Sequence, residues 1–89
     1  MTLREATKGY KSLEKLIGKY DLDPALDAPS PLEIDAAVKA GNYKTANQAA
    51  LKTKLENAVK FATTAAGIAG TDTNHQLRIT TYNNLIAKL

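Results

Sequence analysis

Eighty-nine residues allow one domain with a modest core, and with no cysteine and a single histidine neither a disulfide scaffold nor a thiolate metal site can hold it together. No apolar run approaches the roughly 20 residues that span a bilayer, and the start, Met1-Thr2-Leu3-Arg4-Glu5, lacks a signal peptide's apolar core, so the sequence predicts a soluble, unprocessed, cytoplasmic chain. The formal charge of +3 is segregated: five basic and two acidic groups give residues 1–20 a charge of +3, and one lysine against five acids gives residues 21–41 a charge of −4. Residues 42–70 return to +3 and residues 71–89 add +1. A uniformly basic nucleic-acid binder would lack the acidic block, whereas alternating blocks steer one helix, or one chain, against another.

Thr2-Leu3-Arg4-Glu5 is a capping-box pattern. Leu3, Ala6, Tyr10, Leu13, Leu16, Ile17 and Tyr20 follow at three- and four-residue spacing, which predicts an amphipathic helix over 3–20. On its opposite face Arg4, Lys8, Lys11, Lys15 and Lys19 fall within about 80° of one another, and Glu5 and Glu14 flank this row without interrupting it. Gly9 and Gly18 each weaken such a helix by about 1 kcal/mol relative to alanine, so either close contacts compensate or the helix ends fray. Residues 21–30 read as a linker, because Asp23-Pro24 and Pro29-Ser30-Pro31 disfavour helix before each proline, with Leu22 and Leu26 pinning it to the core. Asp21, Asp23 and Asp27 lack the turn glycine and the twelfth-position glutamate of an EF-hand and read as a solvated acidic loop.

Ser30-Pro31-Leu32-Glu33 is a second capping box, with proline at the first helical position. It opens a short helix over 31–40 with Ile34, Ala37 and Val38 facing inward and Gly41 closing it in the left-handed conformation. The turn from Ala40 to Ala46 is similar to the glycine-x-tyrosine turn of tetratricopeptide helical hairpins, and Tyr43-Lys44-Thr45 echoes Tyr10-Lys11-Ser12. The echo covers three residues and has no third copy, so it implies a helical-hairpin turn and not a repeat array. Thr45-Ala46-Asn47-Gln48 offers a third capping box, for an alanine-rich helix over 46–69. Leu51, Leu55, Ala58, Val59, Ala62, Ala65, Ala66 and Ala69 share an arc of about 120° on this helix. Ala46, Ala50, Phe61 and Ile68 form a second arc, while Lys52, Glu56 and Lys60 face water. A seam of small residues lets backbones approach but buries little area per residue, so flanking helices or a second copy of the chain must cover it. Gly67 and Gly70 bracket its end, and Thr71 or Asp72 caps a last helix over 73–88. His75, Ile79, Tyr82, Leu85, Ile86 and Leu89 form the inward face of that helix. Its outer side is uncharged, with Thr73, Gln76, Thr80, Thr81, Asn83 and Asn84 surrounding an outward Leu77, a candidate partner contact.

Four periodic segments without strand-like alternation predict an all-α fold: a small four-helix bundle forming one domain over 1–89, with the Pro/Asp-rich linker at 21–30. Short connections favour antiparallel neighbours.

One histidine and no cysteine remove most nucleophilic and metal-based chemistry, and His75 on an apolar arc reads as a core-edge histidine, not a general base. No phosphate-binding glycine loop, nucleotide fingerprint or zinc spacing occurs. The sequence therefore predicts a non-enzyme with no cofactor. The expected role is a protein-interaction module acting as a regulator, inhibitor or assembly factor, self-associating as a homo-oligomer if the alanine seam stays exposed. The alternative is a nucleic-acid binder that lays Arg4, Lys8, Lys11, Lys15 and Lys19 along successive phosphates. In that reading Arg78 and Thr81, beside Asn74 on the last helix, would reach base edges, although no recognition-helix pattern surrounds them. The candidate binding residues are these five cations together with Leu77, Arg78 and Thr81.

Overall fold

The computed structural model describes residues 1–23, 25–70 and 73–89, with the side chain of Thr45 outside that description. Two capping boxes form as the sequence predicts. The Glu5 amide donates to Thr2 Oγ1 at 3.2 Å while the Thr2 amide donates to Glu5 Oε1 at 3.0 Å, and helix α1 follows over Leu3–Leu16. Ser30 and Glu33 make the same reciprocal pair at 3.3 and 3.1 Å, and α2 runs over Pro31–Lys39 with proline in its first turn. The end of α2 is also local chemistry. Gly41 takes φ 74°, its amide donates to the Val38 carbonyl, and the Asn42 amide donates to the Ala37 carbonyl, the double closure that a left-handed glycine permits.

The long helix starts at Gln48, later than the expected 46, and the Thr45 side chain of the third capping box lies outside the described residues. Thr45–Asn47 is a single 3-10 turn, and α3 begins at Gln48 and runs to Ala69 with Asn47 as an N-cap that makes no side-chain cap bond. The Asn47 amide group instead donates to the Tyr20 carbonyl at 2.9 Å. This tertiary bond uses the Nδ2 donor, and the Oδ1 that would accept a helix amide makes no cap bond. The last helix, α4, spans Thr73–Lys88; its expected caps, Thr71 and Asp72, lie outside the described residues, as does Pro24 in the linker.

The first helix also departs from the expected 3–20 span. After Leu16 the backbone widens into one π-turn over Ile17–Asp21, closed by the Leu22 amide on the Ile17 carbonyl at 3.0 Å. The buried stripe then reads Ala6, Tyr10, Glu14, Ile17, Asp21. Leu3, Leu16 and Tyr20, expected on the inward face, are exposed at its edges.

All four helices pack together, and no strand occurs among the described residues. α3 lies at the centre, against α1 on one side and α4 on the other. Its seam residues Leu51, Leu55, Ala58, Ala62 and Ala65 are wholly buried within the single chain, whereas Ala46, Ala50, Ile68 and Ala69 are exposed. α2 packs chiefly on α4 rather than on α3, so the turn between α2 and α3 does not make the hairpin the sequence suggested. Leu22 is buried and Leu26 packs against the core, pinning the linker as expected. The two glycines of the first helical segment are sites of close approach: a Cβ on Gly9 would lie 2.6 Å from the Phe61 ring, and one on Gly18 would strike the Leu26 carbonyl oxygen and the Pro29 ring.

Candidate functional site

Glu14 comes four residues after Tyr10 and three before Ile17, on the buried stripe of α1, and is only 4% exposed. Across the bundle Arg78 occupies the matching place on α4, three residues after His75 and four before Tyr82, and is 9% exposed. The two meet side-on: Arg78 Nε donates to Glu14 Oε2 at 2.8 Å and Nη2 donates to Oε1 at 3.2 Å, the two-pronged geometry that strengthens guanidinium–carboxylate pairs. The Tyr82 hydroxyl donates to the same Oε2. Arg78 Nη1 donates to the Asn74 carbonyl at 3.4 Å, and the guanidinium carbon lies 4.2 Å from the Tyr10 ring centroid. The Tyr10 hydroxyl in turn meets His75 Nδ1 at 3.4 Å, with the rings edge to face. His75 is thus a buried, hydrogen-bonded residue.

Burial pulls the Arg78 guanidinium toward deprotonation, but the hydrogen bond and charge of Glu14 more than reverse this, and its pKa is raised. Tyr82 is pushed well above the ordinary tyrosine range, first by burial and then by the Glu14 charge and hydrogen bond. An unfolded tyrosine ionises near pH 10 while the folded Tyr82 keeps its proton, so the folded state binds more protons and stability falls above that pH by up to about 1.4 kcal/mol per unit. Denaturation midpoints measured from pH 9 to 11 should therefore fall less steeply in Tyr82→Phe than in the wild type; equal slopes would show that Tyr82 ionises freely in the fold.

A second ion pair, between a half-buried lysine and a buried acid, secures the π-turn that follows α1. Lys54 Nζ lies 2.6 Å from Asp21 Oδ2, and Asp21 is 1% exposed. The Asp21 carbonyl accepts the Lys44 amide at 3.0 Å, so one residue joins the π-turn, α3 and the segment before it. The solvated loop expected at Asp21 is instead an internal tether.

Arg4, Lys8, Lys11, Lys15 and Lys19 are all exposed. None has a carboxylate partner among the described residues, where the ion pairs join Lys39 to Asp35, Lys54 to Asp21 and Arg78 to Glu14; Lys19 Nζ lies 5.3 Å from the Tyr20 ring centroid. The two acids of α1 are engaged elsewhere. Glu5 is held in the cap, where the Thr2 amide keeps its carboxyl below the ordinary range, and Glu14 is inside. A shallow trough of about 740 Å³ follows this face between the stems of Arg4, Lys8, Lys11 and Lys15 and reaches Ala28. Behind Lys11 and Ala28 lies a deeper cavity of about 260 Å³, lined also by Glu14, Pro29, Ser30, Pro31 and Arg78.

The structure thus leaves Arg4, Lys8, Lys11 and Lys15 along one trough, with Lys19 exposed beyond them in the π-turn; of the α4 candidates, Arg78 meets this row from inside, at the cavity it shares with Lys11. Arg78 is turned into the bundle and spent on Glu14, a correction to its expected place beside Asn74 and Thr81 on an outer side. Leu77, expected to point outward, is half-buried, as is Thr81. Sequence reasoning missed Glu14, Asp21 and Lys54; the available signal was the placement of acids on the apolar stripe of the first segment. Among the described residues no group of histidines and carboxylates is arranged to hold a metal ion. Fold and site together define a small helical bundle with a buried Glu–Arg–Tyr network behind a cationic helix face that has no carboxylate partner among the described residues. Comparison with protein-family models, with curated proteins and with solved structures finds no match for the chain.

Proposed function

We propose that the protein is a protein-interaction module whose α1 outer face binds an acidic segment of a partner, in the manner of a regulator, inhibitor or assembly factor. The observation that carries this reading is the row from Arg4 to Lys19, exposed and without carboxylates, on a helix whose own acids are held in a cap and in the core. From Arg4 to Lys15 the row spans about 16 Å at 1.5 Å per residue, enough to meet several carboxylates of one partner segment. Complementary charge of this kind accelerates encounter and selects orientation. The rigid packing of Ala6, Tyr10 and Glu14 behind it holds the cations in register. Self-association through the alanine seam loses its support, because α1 and α4 cover that seam within one chain. No described helix is long and apolar enough to cross a membrane, and a cysteine-free chain suits a reducing compartment, so we place the interaction in the cytoplasm. Leu77 and Thr81 sit on α4, outside the row, and have no part in this reading.

With Arg78 buried, the nucleic-acid alternative keeps only sequence-independent phosphate contact. Fluorescence anisotropy separates the two, using a labelled Asp/Glu-rich peptide and a mixed-sequence DNA duplex. The triple variant Lys8→Gln, Lys11→Gln, Lys15→Gln should bind the peptide at least about tenfold more weakly while its denaturation free energy stays within about 0.5 kcal/mol of the wild type. Tighter binding to the duplex than to the peptide, with log K falling by about 0.9 per neutralised phosphate against log salt, would transfer the row to nucleic acid. Absence of binding to both would remove the row from function.

A further inference from the structure

We infer that the cavity between α1, the 28–31 segment and α4 is a binding site for a single carboxylate group. A guanidinium carries five N–H donors. Arg78 uses one on Nε and one on Nη2 for Glu14 and one on Nη1 for the Asn74 carbonyl, and it also interacts with the Tyr82 hydroxyl, so its five donors are not all spent on the network. Arg78 is 9% exposed and lines the cavity. Donors so placed require an acceptor, and a carboxylate supplies two oxygens in the matching fork geometry.

The charge of the cavity has the right sign. Glu14 and Arg78 cancel, and Lys11, exposed and without an acidic partner among the described residues, leaves an excess of one positive charge at the mouth. A singly charged anion neutralises this excess of one, whereas a doubly charged phosphate would leave one negative charge uncompensated beside Glu14. The remaining walls favour an organic acid: Pro29 and Pro31 are buried apolar rings, and Ala28 adds a methyl at the entrance. The volume of about 260 Å³ is below the roughly 300–1,000 Å³ of drug-sized sites, so the occupant is a short acid or the end of a chain. This inference does not depend on what the basic row binds.

The test uses the full chain labelled with ¹⁵N and follows backbone amides and the arginine Nε–H signals at constant ionic strength. Probes are acetate and propionate against acetamide, and two short peptides that differ only in a free or amidated C-terminus. Saturable shifts at Arg78 Nε and at the Lys11, Ala28 and Ser30 amides are expected with free carboxyl groups and not with the amides. Binding of the small acids identifies a free organic acid as the ligand source, and binding of the free-ended peptide alone identifies a chain terminus. Lys11→Met should weaken binding about tenfold, the loss of one charge-assisted interaction, and Ala28→Leu should block the entrance; both positions are exposed, so the fold survives. Unmoved Arg78 signals, equal responses to acid and amide, or unchanged affinity in both variants would overturn the assignment.

Discussion

Replacing Glu14 with alanine is expected to lower the unfolding free energy by about 3–5 kcal/mol, because it strands a buried guanidinium without its counter-charge. Tyr82 loses its acceptor in the same step, which adds the cost of a buried hydroxyl without its partner. For a domain of this size, whose total stability is about 4–13 kcal/mol at 0.05–0.15 kcal/mol per residue, that is enough to populate the unfolded chain. The cost belongs to the broken network and not to the absence of charge. The triple replacement Glu14→Leu, Arg78→Met, Tyr82→Phe removes every polar member together and should return to within about 2 kcal/mol of the wild type or exceed it, as buried ion pairs replaced by packed apolar groups commonly do. Urea denaturation of the three proteins, followed by circular dichroism, decides the matter. A Glu14→Ala cost below about 1 kcal/mol would mean that water screens the pair as it does a surface salt bridge. The network also backs the basic row, since Glu14 lies between Lys11 and Lys15 in sequence and points the other way. Apolar replacement would keep the row in place, so the triple variant should still bind an acidic peptide.

What the sequence made legible was local. The caps at Thr2 and Ser30 and the left-handed closure at Gly41 need only residues within a few positions of one another, and the chain supplies them whatever the rest does. Asn47 shows the limit, because its side chain reaches Tyr20, 27 positions away, and makes no cap bond at the start of α3. The partner of α2 was not legible either: a short connection suggested α3, but α2 packs on α4. The row was readable because exposed cations on one helical face need no partner to be recognised. Glu14 and Arg78 were hidden because a long charged side chain on an apolar stripe ordinarily carries its head out to water at the edge. Their spacings placed them inward all along, three and four residues from Ile17 and Tyr10 in one case and from His75 and Tyr82 in the other. An acid on one stripe and a base on another is a pairing signal, and reading it required knowing which helices face each other.

Gly18→Ala is expected to destabilise the protein by about 2–3 kcal/mol, against the direction of helix propensity. In an open helix the same change stabilises by about 0.5–1 kcal/mol, and Gly67 in α3, with nothing near its Cβ position, provides that control within this chain. At Gly18 the added methyl would strike the Leu26 carbonyl oxygen and lie 2.7 and 2.9 Å from two Pro29 ring carbons, so backbone and not a flexible side chain has to give way, the costly case of overpacking. Yielding there has a consequence at the cavity. The segment that would be pushed aside carries Ala28 and Pro29, and it continues into Ser30 and Pro31, which complete the wall opposite Arg78. Displacement of this wall should weaken carboxylate binding along with stability, whereas Gly67→Ala should raise stability and leave binding unchanged. Thermal denaturation and the carboxylate titration on both variants measure the two effects separately. If Gly18→Ala proves as stable as Gly67→Ala, the linker does not bear on the π-turn as closely as its geometry shows, and the cavity loses its fixed wall.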